Sequence, residues 1–258
     1  MTKDSIKLWL LLAISFAIFF AYSLAGDKTI AGLTIKSSNL AGSIIEEKIF
    51  TPIAEEITEP EPKPLFPQPV DTTTQTILFI GDSMLDGLSP RLAAYAKQSG
   101  HTQYSVIWYS SSTEQWGKSK RLTEYINKFK PTFIFICLGS NELIIKDIKT
   151  KRKKYVESIL NEIDTIPFLW IGPPNWKKDT GINDMLVESL PKGTFFMSNG
   201  MTFSRRKDGA HPTASSAILW MDSVIRWMPD SCLHPIRLDM PETKTARPKK
   251  IFVHQPEV

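Results

Sequence analysis

Thr76-Ile77-Leu78-Phe79-Ile80-Gly81-Asp82-Ser83-Met84 is the stretch whose reading decides the fold. Apolar side chains run unbroken from Ile77 to Ile80 and stop at a glycine. A strand with one wet face alternates polar and apolar residues; a continuous run reads as a strand buried on both faces. Immediately after it, Leu88, Leu92 and Tyr95 recur at helical spacing, and Gly100 closes the segment as a helix-ending glycine does. The unit is a buried strand feeding a helix, with polar residues at the turn.

The same alternation repeats downstream. Tyr104 to Tyr109, Phe133 to Leu138, Phe168 to Ile171 and Thr194 to Met197 read as strands. Between them, Leu122, Tyr125, Ile126 and Phe129 share one helix face, and Val156, Ile159, Leu160 and Ile163 share another. Met185 to Leu190 reads as a short helix, and a last helix from Thr213 to Met228 buries Ile218, Met221, Ile225 and Met228. Strands that alternate with helices and are apolar throughout predict an α/β fold, a parallel sheet covered on both faces. In such sheets ligands bind beyond the carboxyl ends of the strands.

Three polar clusters fall at such ends. Gly81-Asp82-Ser83 follows the first strand, Gly139-Ser140-Asn141-Glu142 follows the Phe133–Leu138 run, and Asp208-Gly209-Ala210-His211 precedes the last helix. Together they supply what acyl transfer requires. A serine hydroxyl is a weak nucleophile until a base takes its proton. Ser83 sits at a strand-to-helix turn, where its own backbone N–H lies near a helix N-terminus and suits a developing oxyanion. His211 is the base, and Asp208, three residues earlier, accepts the other imidazole N–H. Asn141 offers a side-chain N–H to the oxyanion. Of the four histidines, His101 follows a helix-ending glycine and His234 and His254 lie in the tail, so His211 alone is placed for this chemistry. Taken singly, each cluster also reads as an ordinary turn or helix cap; the set, in this order and at these element ends, carries the assignment.

These clusters resemble the SGNH (GDSL-type) hydrolase superfamily. Its Gly-Asp-Ser corresponds to Gly81-Asp82-Ser83, its Gly-x-Asn to Gly139-Ser140-Asn141, and its Asp-x-x-His to Asp208 and His211, over Thr76 to Pro229. The resemblance implies a flavodoxin-like three-layer α/β/α sandwich and an acyl-enzyme mechanism with no cofactor and no metal. It implies the catalytic set Ser83, Asp208 and His211. Its oxyanion hole combines the Ser83 N–H, the Asn141 side chain and a backbone N–H from the loop after the second strand. That loop reads Ser110-Ser111-Ser112-Thr113-Glu114 where the family has a glycine; either a serine or threonine N–H substitutes, with Ser112 the candidate, or the hole has fewer donors. Glu142 stands where aspartate is commoner and receives no catalytic role. The Gly-x-Ser-x-Gly elbow of ordinary α/β-hydrolases is absent, because Leu85 occupies its last position.

The N-terminus sets the expected location. Lys3 and Lys7 precede an apolar stretch from Leu8 to Tyr22 that continues through Leu24 and Ala25. A basic start before a hydrophobic run is an export signal. It reads either as a cleaved signal with Ser23-Leu24-Ala25 at the cut, or as an anchor, since roughly 18 to 20 apolar residues span a bilayer. The anchor is favoured, because Pro52, Pro60, Pro62, Pro64, Pro67 and Pro69 then form an extended spacer. Residues 1–26 are thus expected as a transmembrane anchor with the remainder outside the cytoplasm. Residues 27–75 form the linker, 76–230 the catalytic domain and 231–258 a loosely structured, proline-bearing tail.

Composition closes off other classes. The chain of 258 residues is 42% hydrophobic and 22% charged, which excludes wholesale disorder. A net charge of +4 without a basic, aromatic-laced stripe does not call for nucleic acid. Two cysteines, Cys137 and Cys232, build neither a disulfide framework nor a four-cysteine zinc site, and whether they pair is left open. Membrane-anchored members of the superfamily remove or transfer O-acetyl groups on envelope glycans. The resemblance therefore implies an esterase acting on an O-acylated cell-wall or exopolysaccharide glycan. Rival readings are an O-acetyltransferase fed by a membrane acyl-donor protein and an inactive glycan-binding or assembly module. Trp108, Trp116, Trp170 and Trp176 lie near strand ends, either stacking on sugar rings or packed in the core.

Overall fold

The computed structural model describes residues 7, 9, 10, 12–16, 28–30, 33–35 and 68–256. The chain divides into two units, 1–59 and 60–258. In the first, residues 9, 10 and 12–16 are helical, and β1 (Lys28–Ile30) pairs antiparallel with β2 (Leu33–Ile35). Most of the expected anchor, and the proline-rich spacer as far as residue 67, lie outside the described residues. Among the described residues no helix is long and apolar enough to cross a membrane.

The second unit holds a six-stranded sheet in the order β7-β6-β5-β3-β4-β8, with every neighbouring pair parallel. Its strands are β3 (Thr76–Gly81), β4 (Thr102–Trp108), β5 (Phe133–Cys137), β6 (Phe168–Ile171), β7 (Phe195–Phe196) and β8 (Lys250–His254). The helices are α1 (Leu85–Gln98), α2 (Thr113–Lys118), α3 (Arg121–Phe129), α4 (Ile148–Ile163), α5 (Ile182–Ser189) and α6 (Ala214–Ser231). The apolar runs are continuous because alternate side chains enter two different cores. Ile77, Phe79, Phe133 and Phe135 pack with Leu88 and Leu92 of α1 and with Trp220, Met221 and Val224 of α6. Leu78, Ile80, Ile134 and Ile136 pack on the other face with Trp116, Leu122, Val156, Ile159 and Met185, from α2 to α5. This is the three-layer α/β/α sandwich expected from the sequence.

The chain leaves β3 towards β4 and leaves β5 towards β6, on opposite sides. The crevice between the ends of β3 and β5 is therefore a topological switch point, where open α/β sheets place their ligands.

Two expectations need correcting. The tail after Ser231 is built into the fold: β8 lies parallel beside β4, in register from Tyr104↔Lys250 to Trp108↔His254. Arg91 donates to the Thr243 and Lys244 carbonyls, Ala246 N–H to the Pro90 carbonyl and Lys249 N–H to the Gln103 carbonyl, so the chain is fastened before the strand begins. The Arg91 guanidinium is in turn held by Asp222 of α6 at 2.6 Å. The segment after Ser110, read as a loop, enters α2 at Thr113. Ser112 is its N-cap, in a capping box with Gln115.

Of the four tryptophans near strand ends, Trp108, Trp116 and Trp170 are at most 1% exposed and belong to the core. Cys137 and Cys232 are buried free thiols. Burial pushes the Cys137 thiol well above its ordinary range and that of Cys232 to about 11, so neither is a reactive thiolate.

Candidate active site

The site grows from the end of β3. Gly81 is needed there because of close packing: a Cβ would lie 2.2 Å from the Cys137 carbonyl oxygen of β5. The following Asp82 is fully buried. Its carboxylate accepts from the Met84 N–H at 2.9 Å and from the Ser140 hydroxyl in a short bond. The Asp82 N–H donates back to the Cys137 carbonyl at 3.2 Å. These bonds lock the turn after β3 to the turn after β5, so Ser83 and Asn141, each one residue further on, are held on neighbouring strand ends. Burial raises the Asp82 carboxyl to about 6, against the bonds from Ser140 and Met84, which lower it.

Ser83 is half-buried at the turn into α1. Its Oγ lies 2.8 Å from His211 Nε2, and His211 Nδ1 lies 2.9 Å from Asp208 Oδ2. With neutral imidazole, the network assigns the proton to Nδ1, donated to Asp208, and leaves Nε2 to accept from the serine hydroxyl. Asp208 also accepts the N–H groups of Ala210 and His211, at 2.8 and 2.9 Å. Those backbone bonds, with the His211 ring, bring its carboxyl down to about 2. The loop that carries both residues is anchored on main-chain bonds, Arg206 N–H to the His211 carbonyl and Thr213 N–H to the Ser204 carbonyl, each 2.8 Å.

The Ser83 N–H has no hydrogen-bond partner among the described residues, which leaves it for an oxyanion. Asn141 is exposed and donates one Nδ2–H to the Ser111 carbonyl at 2.8 Å, fixing the amide with its second N–H uncommitted. Ser112 is a correction: its N–H donates to Gln115 Oε1 at 2.8 Å as part of the capping box, so it is spent on the start of α2. Gly117, the nearest glycine, is a packing residue, since a Cβ would meet the Tyr155 carbonyl oxygen at 2.7 Å.

Glu142, Tyr109 and Trp176 brace the site through contacts that the sequence does not announce. Glu142 is fully buried and accepts from Thr113 N–H at 2.9 Å, Thr113 Oγ1 at 2.8 Å and Arg152 Nε at 2.9 Å. It clamps the turn after β5 to the start of α2, and burial raises its carboxyl despite those donors. Tyr109, at the end of β4, donates to both oxygens of Asp86 in the first turn of α1, at 3.0 and 3.1 Å. Trp176, the one strand-end tryptophan that is not fully buried, donates its indole N–H to the Ser140 carbonyl at 2.9 Å. Only residue type could have flagged these, because their partners lie far away in the chain. Among the described residues no cluster of His, Cys, Asp and Glu could hold a metal ion.

No protein-family model matches the sequence, and no curated protein matches it. Solved structures do. The psychrotrophic esterase EstA from Pseudoalteromonas sp. is 18% identical, over 59% of this chain and 98% of its own, with a TM-score of 0.42. A lipase/acylhydrolase from Enterococcus faecalis is 17% identical, over 60% of this chain and 96% of its own, with a TM-score of 0.47. A family 3 carbohydrate esterase from Clostridium thermocellum is 16% identical, over 60% and 98%, also with a TM-score of 0.47.

Proposed function

We propose that this chain is a serine ester hydrolase of the SGNH type, acting on O-acylated envelope glycan through an acyl-enzyme on Ser83. The observation that carries the reading is the continuous relay from Ser83 Oγ through His211 to Asp208, at 2.8 and 2.9 Å, on the switch-point edge of the sheet. Nε2 of His211 takes the hydroxyl proton as Ser83 Oγ attacks the ester carbonyl. The developing oxyanion is met by the Ser83 N–H and the second N–H of Asn141. Collapse breaks the ester C–O bond, and the Nε2 proton goes to the departing alcohol. Water then repeats the sequence on the acyl-enzyme and releases the acid. Asp208 holds the imidazole in the tautomer this needs and stabilises the imidazolium.

Hydrolysis is favoured over transfer to a second glycan because the relay is open to water. The side chains of His211 and Asp208 are 26% and 47% exposed. The assembled relay speaks against an inactive binding module. We further propose that the apolar N-terminal segment holds the domain outside the cytoplasm, at the membrane. Acetate release from an O-acetylated glycan, compared between wild type and Ser83→Ala, tests the reaction. Loss of release in the variant supports it, and undiminished release overturns it. Recovery of the chain in the soluble rather than the membrane fraction would overturn the anchoring.

A further inference from the structure

Two loops border the relay, residues 173–181 after β6 and residues 204–212 before α6. They carry Lys177, Lys178, Arg205, Arg206 and Lys207 against only two carboxylates, Asp179 and Asp208. Both carboxylates are spent locally. Asp179 accepts from the N–H groups of Gly181 and Ile182 at 2.8 and 2.9 Å and from Asn183 Nδ2 at 2.7 Å, while Asp208 serves His211. None of the five cations forms an ion pair among the described residues. Arg205 is a strut: it donates to the Ala210 carbonyl beside His211 and to the Asn175 carbonyl, tying one loop to the other. The other four are exposed.

Their placement follows the reacting residues. Lys177 Nζ sits 4.5 Å from the centre of the Trp176 ring, and that indole is bonded to the Ser140 carbonyl next to Asn141. Arg206 is bonded through its main chain to His211. Its charge also acts on the Tyr109 phenol, partly opposing the rise caused by burial and by Asp86. Positive charge therefore flanks the nucleophile from the Asn141 side and from the His211 side; Asp208 acts on Arg205 and Asp86 on the same phenol as Arg206, but none of the four exposed cations is paired with a carboxylate among the described residues. Such a field concentrates an anionic substrate.

We propose that the site takes an anionic O-acylated polysaccharide, with carboxylate-bearing sugar units held by Lys177, Lys178, Arg206 and Lys207 while a neighbouring ester lies against Ser83. This rests on the esterase reading above, but its test does not require turnover. Full-length Ser83→Ala protein is titrated with polygalacturonate and with a neutral galactan, at low and at high salt. Polygalacturonate is expected to bind at least tenfold tighter, with an advantage that shrinks as salt rises. Adding Lys177→Glu and Arg206→Glu is expected to weaken polygalacturonate binding at least tenfold. The same charge change at Lys97 and Lys192, exposed ahead of β4 and β7 at the opposite edge of the sheet, controls for net charge and is expected to weaken it far less. Equal binding of the two polymers, an undiminished double variant, or an equal loss in the remote control would each overturn the proposal. So would tighter binding to phosphatidylglycerol vesicles than to polygalacturonate, which would assign the rim to a lipid surface. Failure of the esterase reading shows separately, as wild-type protein that does not react with an acylating serine probe.

Discussion

In the proposed reaction Ser83, His211 and Asp208 contribute unequally, and their surroundings say why. Ser83→Ala and His211→Ala each remove a reacting atom, and a loss of about 10^4-fold or more in kcat/KM is expected for either, with the fold unchanged. Asp208 only orients and stabilises the imidazole, and it is half-exposed. Asp208→Asn is therefore expected to be about 10- to 100-fold milder, as steady-state kinetics on an acetyl ester will show. Asp82 gives a different signal. Its carboxyl is held at about 6 in the fold against an ordinary 3.8, so the native state binds the proton more tightly. Stability is then unaffected by this group below about pH 4, falls as pH rises through the window from about 4 to 6, and carries the full penalty above it. Asp82→Asn removes that dependence. Urea melts are expected to show the variant matching wild type near pH 4 and exceeding it by on the order of 2–3 kcal/mol at pH 7. A constant difference across that range would contradict the reading of Asp82 as a buried carboxylate under strain from burial.

At the scale of elements, the turn that carries Asn141 is held by buried Glu142, whose partners Thr113 and Arg152 come from α2 and α4. Arg152 of α4 reaches Glu142 at 2.9 Å and Glu114 at 2.6 Å, and so joins α4, α2 and the turn after β5. Arg152→Ala leaves the Glu142 carboxylate buried with only Thr113 to bond it. A loss of about 3 kcal/mol is expected in chemical denaturation, with a lower kcat because Asn141 and the Ser111 loop lose their brace. Unchanged stability and kcat would show the clamp to be idle. This brace was not legible in sequence. Periodicity marks a strand or a helix face, but Thr113, Glu142 and Arg152 have no shared pattern, and α2 is too short to declare one. The strands from Thr76 to Ile171 were legible because two-sided burial writes continuous apolar runs. The oxyanion role expected of Ser112 fails for the opposite reason: a serine three residues before glutamine is a capping box, and that local competition consumes its N–H.

At the scale of the molecule, the six-stranded sheet of the second unit is completed by β8. β8 covers the open edge of β4, and its Phe252 lies against Tyr125 and Phe129 of α3, with ring centres 5.3 and 5.5 Å apart. Prolines scattered through the tail hid this five-residue strand from a reading by composition, since its partners are over a hundred residues away in the chain. Truncation after Lys249 uncovers a strand edge and part of the α3 core. A melting temperature lowered by about 5 °C or more, with concentration-dependent aggregation, is expected in thermal scans with light scattering. An unaltered scan would mean that the strand adds nothing to the sheet.

The most direct measurement is covalent. The folded full-length chain is treated with a fluorophosphonate probe, and the adduct is mapped by peptide mass spectrometry beside Ser83→Ala. An activated nucleophile in the relay gives a single adduct on Ser83, lost in the variant and suppressed in His211→Ala. No adduct on folded wild type, or one that persists at another residue in Ser83→Ala, would contradict the assignment of Ser83 as the nucleophile of a serine ester hydrolase.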